Sequence, residues 1–187
     1  MPLCYNSFMK KIALSFVKTG DFIPGNITMS PARSQKLASI QNADARAQYA
    51  ASSLAIHALL GPNALSFRYG ENGRPCVDGG YVSPAHTAGM AACAYCDVPV
   101  GCDIEKTDRQ LSKALEAQFG TLDDWLALEA CVKLTGEGLS GIKKYRRTGD
   151  IMTGKNGSFI AYVKFIDRDE YRLAVCCGEE FDTEIIE

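Results

Sequence analysis

The sequence predicts an α+β protein made of two similar halves that meet near residue 100. Both halves contain one or two helix-like segments and a few strand-like segments, without tandem repeats or low-complexity tracts. The 187 residues suffice for one domain or two small ones, at about 150 residues per domain. We therefore place an N-terminal half at residues 1–100 and a C-terminal half at residues 101–187.

The first half is predicted to begin with a strand and continue with two helices. Ser30 followed by Pro31 is typical of a helix start. The alanine-rich segment 43–60 has apolar residues at helical intervals and ends at Gly61. The predicted elements are a strand at 11–18 broken by Pro-Gly-Asn at 24–26, a helix after Ser30, a helix at 43–60, turns at 67–80 and strand-like pieces at 81–82 and 89–104.

The second half is predicted to contain two helices and a β-hairpin. Thr121 followed by Asp124 resembles a helix N-terminus, and Gly136 closes the helix that follows. The predicted elements are a polar helix at 106–119, a helix at 125–135 and antiparallel strands at 158–168 and 171–177, joined by a turn around 167–170.

Composition excludes several classes of protein. Hydrophobic residues make up 47% and charged residues 22% of the chain, which is ordinary for a globular protein and excludes a disordered or fibrous one. The net charge of −2 argues against non-specific nucleic-acid binding. No run of about 18 apolar residues is present, and the apolar run at 12–17 is too short for a secretory signal. We expect a cytoplasmic protein without a membrane partner.

Eight cysteines in such a chain are expected to be reduced thiols. Cys93 and Cys96 form a CxxC pair, which raises the possibility of a zinc site. Because the segment around them is predicted to be a strand, residues three apart point to opposite faces. We therefore favour structural cysteines over zinc ligands.

Two short segments carry most of the candidate chemistry. On a strand, Asp103 and Glu105 share one face with Cα atoms about 6.6 Å apart, an arrangement of hard oxygen donors that suits Mg²⁺. On a helix, Glu129 and Lys133 share a face, which could supply a third carboxylate and an ammonium group for a phosphate. The alternatives are solvated acids at a strand end and an ordinary surface ion pair.

These segments belong to a longer ordered pattern. Its parts are Gly73-Arg74-Pro75, then His86, then Val-Gly-Cys-Asp-Ile-Glu at 100–105, then Trp-x-x-x-Glu-Ala-x-x-Lys-x-x-Gly-x-Gly-Leu at 125–139. The pattern resembles the 4′-phosphopantetheinyl transferase superfamily, in its surfactin-type branch with two similar halves and the active site in the cleft between them. The resemblance implies transfer of the phosphopantetheine arm of coenzyme A to a serine of an acyl or peptidyl carrier protein, with release of 3′,5′-ADP.

The resemblance also implies roles for individual side chains. Asp103, Glu105 and Glu129 match the Mg²⁺ ligands, and Glu129 matches the general base. Lys133 matches the pyrophosphate-binding lysine and His86 a phosphate-binding histidine. The residues that match positions contacting coenzyme A phosphates in the first half are Arg33, Lys36, Arg46 and Arg74. The implied division of labour is nucleotide binding in residues 1–100 and metal binding in residues 101–187, and we expect a monomer.

The sequence departs from the family pattern at several positions. Leu128 stands where the family has a lysine. A lysine at this position would reach the pyrophosphate of coenzyme A if this part of the helix faced the pyrophosphate. Ser83 and Ala85 alter the histidine motif, and His57 stands where a helix arginine is expected. These departures motivate an alternative, a non-catalytic coenzyme A-binding or carrier-binding protein. A second alternative is a different Mg²⁺-dependent phosphotransfer enzyme, but the complete carboxylate triad favours a working transferase. The carrier itself stays open.

A dense basic cluster, Lys-Lys-Tyr-Arg-Arg at 143–147, follows these motifs. It is either a solvated loop or a surface that faces an acidic helix of a carrier protein. The sequence does not separate these two interpretations.

Overall fold

The computed structural model describes residues 9–21, 28–70 and 73–187 of the chain. The predicted strand break at 24–26 lies outside these residues. The helices are α1 (Pro31–Ser39), α2 (Ala43–Leu60), α3 (Lys113–Phe119) and α4 (Leu122–Thr135), with 3₁₀ turns at Thr19–Asp21, Gly61–Ser66 and Leu139–Lys144. The strands are β1 (Lys10–Lys18), β2 (Arg68–Tyr69), β3 (Pro75–Val77), β4 (Gly80–Thr87), β5 (Met90–Cys96), β6 (Val100–Lys106), β7 (Tyr145–Thr148), β8 (Ile151–Gly154), β9 (Phe159–Arg168), β10 (Tyr171–Cys177) and β11 (Phe181–Ile185).

The strands form two sheets, which confirms the α+β fold class. The first sheet has the strand order β11-β1-β5-β4-β3-β2, and the second has the order β6-β10-β9-β8-β7. The chain enters the second sheet at Val100, yet its last strand, β11, returns to the first sheet and pairs in parallel with β1. The division into halves at residue 100 stays a prediction.

The two sheets pack face to face, and each carries a helix on its outer face. In β5, Ala92 and Ala94 belong to a buried cluster with Leu173 of β10, whereas Cys93 belongs to another cluster with Ile56 of α2. In β10, Ala174 lies in a third cluster with α4. Because neighbouring strand residues point to opposite faces, the layers follow the order helix, sheet, sheet, helix.

This arrangement confirms the interpretation of the CxxC pair. Cys93 packs under α2 and Cys96 packs between the sheets, so their sulfur atoms lie on opposite faces of β5. The seven cysteines within the described ranges are free thiols.

The predicted helix starts are confirmed by their caps. The Ser30 hydroxyl accepts the Arg33 backbone N–H, and Pro31 occupies the first turn of α1. Thr121 and Asp124 exchange side-chain and backbone hydrogen bonds in a capping box, which satisfies two N–H groups that α4 leaves unpaired. The hairpin of β9 and β10 is also confirmed.

Other element predictions were wrong in extent. The helix predicted at 106–119 begins only at Lys113, because the chain up to Lys106 continues β6 and pairs with Tyr171 of β10. The piece predicted at 89–104 is interrupted at 97–99 and contributes one strand to each sheet. Strands β7, β8 and β11 had no prediction. None of the helices in the described ranges combines the length and apolarity needed to cross a membrane.

Candidate active site

A cavity of about 550 Å³ brings together five residues singled out from the sequence. They come from three elements: His86 from β4, Asp103 and Glu105 from β6, and Glu129 and Lys133 from α4. Strand alternation puts the two β6 acids on one face, and helical spacing puts the two α4 residues on another, as predicted. The structure places these two faces opposite each other.

Gly101 explains how α4 comes so close to β6. A Cβ atom at this position would collide with the backbone carbonyl oxygen of Ala130 and crowd the backbone of Leu134. A residue without a side chain therefore lets the helix backbone rest directly on the strand. On the other side of β6, the Ser83 hydroxyl accepts the Cys102 backbone N–H at 2.8 Å, which joins β4 to the same strand.

Lys133 forms the shortest charged link between α4 and β6. Its Nζ lies 2.7 Å from Asp103 Oδ1 and donates a second hydrogen bond to the Cys102 carbonyl at 3.1 Å. Asp103 is buried, whereas 35% of the Lys133 side chain remains exposed to the cavity. Desolvation lowers the pKa of Lys133, but the Asp103 carboxylate outweighs it, so that the pKa is raised and the ammonium stays charged.

Glu129 lies against the same carboxylate. Partial burial, the charge of Asp103 and a side-chain hydrogen bond with Asp103 raise the pKa of Glu129 to about 8, although Lys133 and Arg109 oppose the shift. Two carboxyl groups in contact repel each other when both are ionised, so one retains a proton near neutral pH. A cation placed between them would offset the repulsion between the two carboxylates, which adds to the effect of burial.

Glu105 is held by two residues that the sequence did not single out. Thr87 of β4 donates its hydroxyl to Glu105 Oε2 at 2.6 Å, and the Arg109 guanidinium pairs with Glu105 Oε1. Arg109 also lines the cavity. Neither contact has a local signal in the sequence, because a spacing of four predicts an ion pair only on a helix and Glu105 lies on β6.

His86 extends from β4 at the cavity wall, and its side chain is exposed. Neighbouring atoms partly desolvate it, and together with the Lys133 ammonium they lower the pKa of His86 below its ordinary value. The imidazole is therefore predominantly neutral at pH 7, and it can donate or accept a hydrogen bond at the cavity.

The predicted nucleotide-binding residues are not among those that line this cavity. Arg33 is buried, where its guanidinium donates to Ser53, Ser52 and the Tyr49 carbonyl of α2 at 2.8, 2.5 and 3.0 Å. Lys36 and Arg46 are exposed on α1 and α2. Arg74 lines a separate cavity at the β2–β3 edge of the first sheet. The predicted roles of these four residues stay predictions.

Leu128 does not face this cavity. It is 4% exposed, packs in the cluster under α4 and lines a different cavity next to Phe119. Trp125, the first residue of the 125–139 pattern, lines the candidate site instead.

The donor chemistry of the cavity fits a hard divalent cation. Asp103 and Glu129 provide carboxylate oxygens in mutual contact, a pair of hard donors that suits such a cation. Glu105 is directed to Arg109 and Thr87 instead. Accordingly, within the described ranges no three His, Cys, Asp or Glu side chains are grouped as a metal site.

Comparison with known proteins does not assign the site. No protein-family model matches the chain, and no curated protein matches it significantly. A functional assignment therefore depends on the residues and geometry of the cavity itself.

Proposed function

We propose that this protein is a Mg²⁺-dependent 4′-phosphopantetheinyl transferase acting on an acyl or peptidyl carrier protein. The observation that carries the proposal is the contact of Asp103 with both Glu129 and Lys133. It joins two carboxyl groups suited to a metal with an ammonium group suited to a pyrophosphate, in a cavity large enough for part of coenzyme A.

In this proposal Asp103, Glu105 and Glu129 would hold Mg²⁺, and Glu105 would have to release Arg109 to do so. When bound, Mg²⁺ would neutralise charge on the pyrophosphate and on the 3′,5′-ADP leaving group. The Lys133 ammonium and the His86 imidazole bind phosphate oxygens from the α4 and β4 sides of the cavity. Glu129, once ionised, accepts the proton of the attacking serine hydroxyl.

The same proposal relates the two sheets and the cavity to the architecture of the transferase family. The two sheets with their helices correspond to the two similar halves of a surfactin-type transferase, and the cavity between β4, β6 and α4 corresponds to its cleft. Coenzyme A phosphates then extend toward α1 and α2, where Arg33, Lys36 and Arg46 lie. We place this activity in the cytoplasm, in a monomer.

A non-catalytic coenzyme A-binding or carrier-binding protein is the second candidate. The ion pairs Asp103–Lys133 and Glu105–Arg109 favour it, because they already neutralise two of the three carboxylates. In such a protein the cavity would bind coenzyme A without supplying a base or a metal.

A carrier-loading assay separates these candidates. The protein is mixed with coenzyme A, Mg²⁺ and a panel of apo-carrier proteins, and each carrier is weighed by mass spectrometry while 3′,5′-ADP is measured. The transferase predicts a carrier that gains the phosphopantetheine mass, with equimolar 3′,5′-ADP and no reaction in EDTA. Coenzyme A binding without mass gain on any carrier would favour the non-catalytic protein, and a different nucleotide product would indicate another phosphotransfer reaction.

A further inference from the structure

A second cavity, of about 410 Å³, lies beside α4 and is lined by basic residues. Its cations are Lys143, Arg146, Arg147 and Lys155, and its walls include Phe119 and Leu128. We call it the basic cavity. It touches α4 along a face turned about 100° from the one that carries Glu129, since Leu128 precedes Glu129 by one residue.

Three separate elements deliver the cations to the basic cavity. Lys143 lies near the end of the 3₁₀ turn Leu139–Lys144, Arg146 and Arg147 lie on β7, and Lys155 follows β8. The backbone N–H of Lys155 donates to the Lys144 carbonyl at 2.9 Å, which fixes Lys155 beside the others. The antiparallel pairing of β7 with β8 therefore brings Lys155 back beside the basic cluster at 143–147.

Asp124, the acid in the lining of the basic cavity, neutralises only one of its four cations. Asp124 accepts hydrogen bonds from the Thr121 backbone and hydroxyl and from Arg147 Nε at 2.9, 2.8 and 2.8 Å, so its oxygens are already engaged. In the described part of the chain, the ion pairs found do not involve Lys143, Arg146 or Lys155. Four cations and one anion leave the lining at +3, in a chain whose net charge is −2.

The remaining lining is partly apolar: Phe119, Leu128 and Ile142 form apolar walls, and Gln118 and Tyr145 add polar groups. Leu128 and Ile142 are 4% and 5% exposed, and Phe119 packs against Trp125 with ring centroids 5.2 Å apart. Apolar walls strengthen the field of nearby charges because they exclude water. They also offer a surface to an organic group attached to an anion. The volume is that of a small-molecule site rather than of a flat protein-docking surface.

We propose that the basic cavity binds an organic phosphate, with its phosphate on Lys143, Arg146 and Lys155 and its apolar or aromatic portion against Phe119, Leu128 and Ile142. Arginine and lysine together suit a phosphate because the first provides a planar pair of donors and the second a point charge. The proposal is independent of the proposed transferase activity, which uses the other cavity.

Calorimetric titration with phenyl phosphate and with inorganic phosphate, in EDTA and at low salt, tests the proposal. We expect both to bind and phenyl phosphate to bind more tightly, since it also contacts the apolar walls. The Lys143→Ala/Lys155→Ala double variant should weaken binding by roughly tenfold or more, as expected for the loss of charge-assisted hydrogen bonds. The matched control, Lys11→Ala/Lys18→Ala, removes two exposed lysines of β1 and should leave binding unchanged.

Further variants locate the binding and identify its class. Lys106→Ala should bind phenyl phosphate like the natural protein, because Lys106 pairs with Glu170 and does not line the basic cavity. Failure of both phosphates to bind would overturn the proposal, as would equal weakening by the two lysine double variants. Binding of a polyglutamate peptide in place of the phosphates, lost on Lys143→Ala/Lys155→Ala, would also overturn it and identify the surface as a docking site for acidic protein segments.

Discussion

The Lys133 ammonium lies 2.7 Å from the Asp103 carboxylate, although the two residues are 30 positions apart along the chain. The contact joins α4 to β6. The same ammonium donates to the Cys102 carbonyl, so it fixes α4 on β6 through two bonds. Glu129 extends from the same helix toward the same carboxylate. The pair therefore holds the geometry of the candidate site in addition to any contact that Lys133 makes with a phosphate.

Replacing Asp103 should consequently affect stability as well as activity. Asp103→Asn keeps the shape of the side chain but leaves the Lys133 ammonium without its charged partner, which we expect to cost about 1–3 kcal/mol of unfolding free energy because Lys133 is partly solvated. Carrier loading should be lost, since a metal ligand is removed. Urea unfolding and the loading assay measure the two effects. A folded Asp103→Asn protein with full loading activity would contradict the metal assignment.

Glu129 should make the stability of the metal-free protein depend on pH. The pKa of Glu129 is raised from 4.5 to about 8 on folding, so between these values the folded state holds a proton that the unfolded chain has released. The contribution of Glu129 to stability should therefore be largest below about pH 5, fall as pH rises to about 8 and become level above it, by on the order of 3 kcal/mol. Urea unfolding in EDTA across this range measures the slope.

The isosteric Glu129→Gln variant is the control for this prediction. It cannot ionise, so its unfolding free energy should lack the part of the slope that belongs to Glu129. Parallel pH profiles for the two proteins would show that Glu129 titrates at its ordinary pKa and that the carboxyl contact with Asp103 is weak.

Arg109 should weaken the binding of a divalent cation, because its guanidinium already neutralises Glu105. Arg109→Ala removes this competing charge and should lower the Mg²⁺ midpoint by roughly threefold to tenfold, as expected for a unit charge near a partly solvated site. Trp125 is the only tryptophan and lines the cavity, so its fluorescence reports the titration.

Lys106→Ala is the matched control for Arg109→Ala. Lys106 follows Glu105 on β6 but pairs with Glu170 outside the cavity, so its removal should leave the Mg²⁺ midpoint unchanged. A fluorescence response to Mg²⁺ that is the same in both variants and in the natural protein would mean that Arg109 does not oppose the metal.

Local patterns predicted which side chains share a face, but not which faces meet. Strand alternation placed Asp103 with Glu105, and helical spacing placed Glu129 with Lys133, as the structure has them. The contact between the two pairs depends on Gly101, which admits the α4 backbone, and such a contact between distant segments leaves no periodic signal. Only the resemblance to a family predicted that the four residues belong to one site.

The failures of prediction have physical causes as well. The segment at 106–112 looked helical because it is polar, yet pairing with β10 extends β6 to Lys106. Strand β11 is only five residues long and is held by parallel pairing with β1, a contact between the two ends of the chain that has no local signal in the sequence. The role that the family resemblance implies for Arg33 stays a prediction, but its burial had no local signal in the sequence. Two serines and a carbonyl of α2, which are 16 to 20 residues away along the chain, satisfy its guanidinium inside the fold.

Leu128→Lys tests the largest departure from the family pattern. A lysine here could strengthen coenzyme A binding only if it faced the candidate site. Leu128 is instead buried on the face of α4 that lines the basic cavity. A lysine ammonium here would be desolvated next to side chains that are already positively charged. We therefore expect a loss of about 2–4 kcal/mol of unfolding free energy and no gain in coenzyme A affinity or transfer rate.

Leu128→Met, which conserves volume and apolarity, should stay within about 1.5 kcal/mol of the natural protein. Thermal unfolding and coenzyme A titration of both variants check this, and a stable Leu128→Lys protein that binds coenzyme A more tightly would show that α4 presents this position to the phosphates after all.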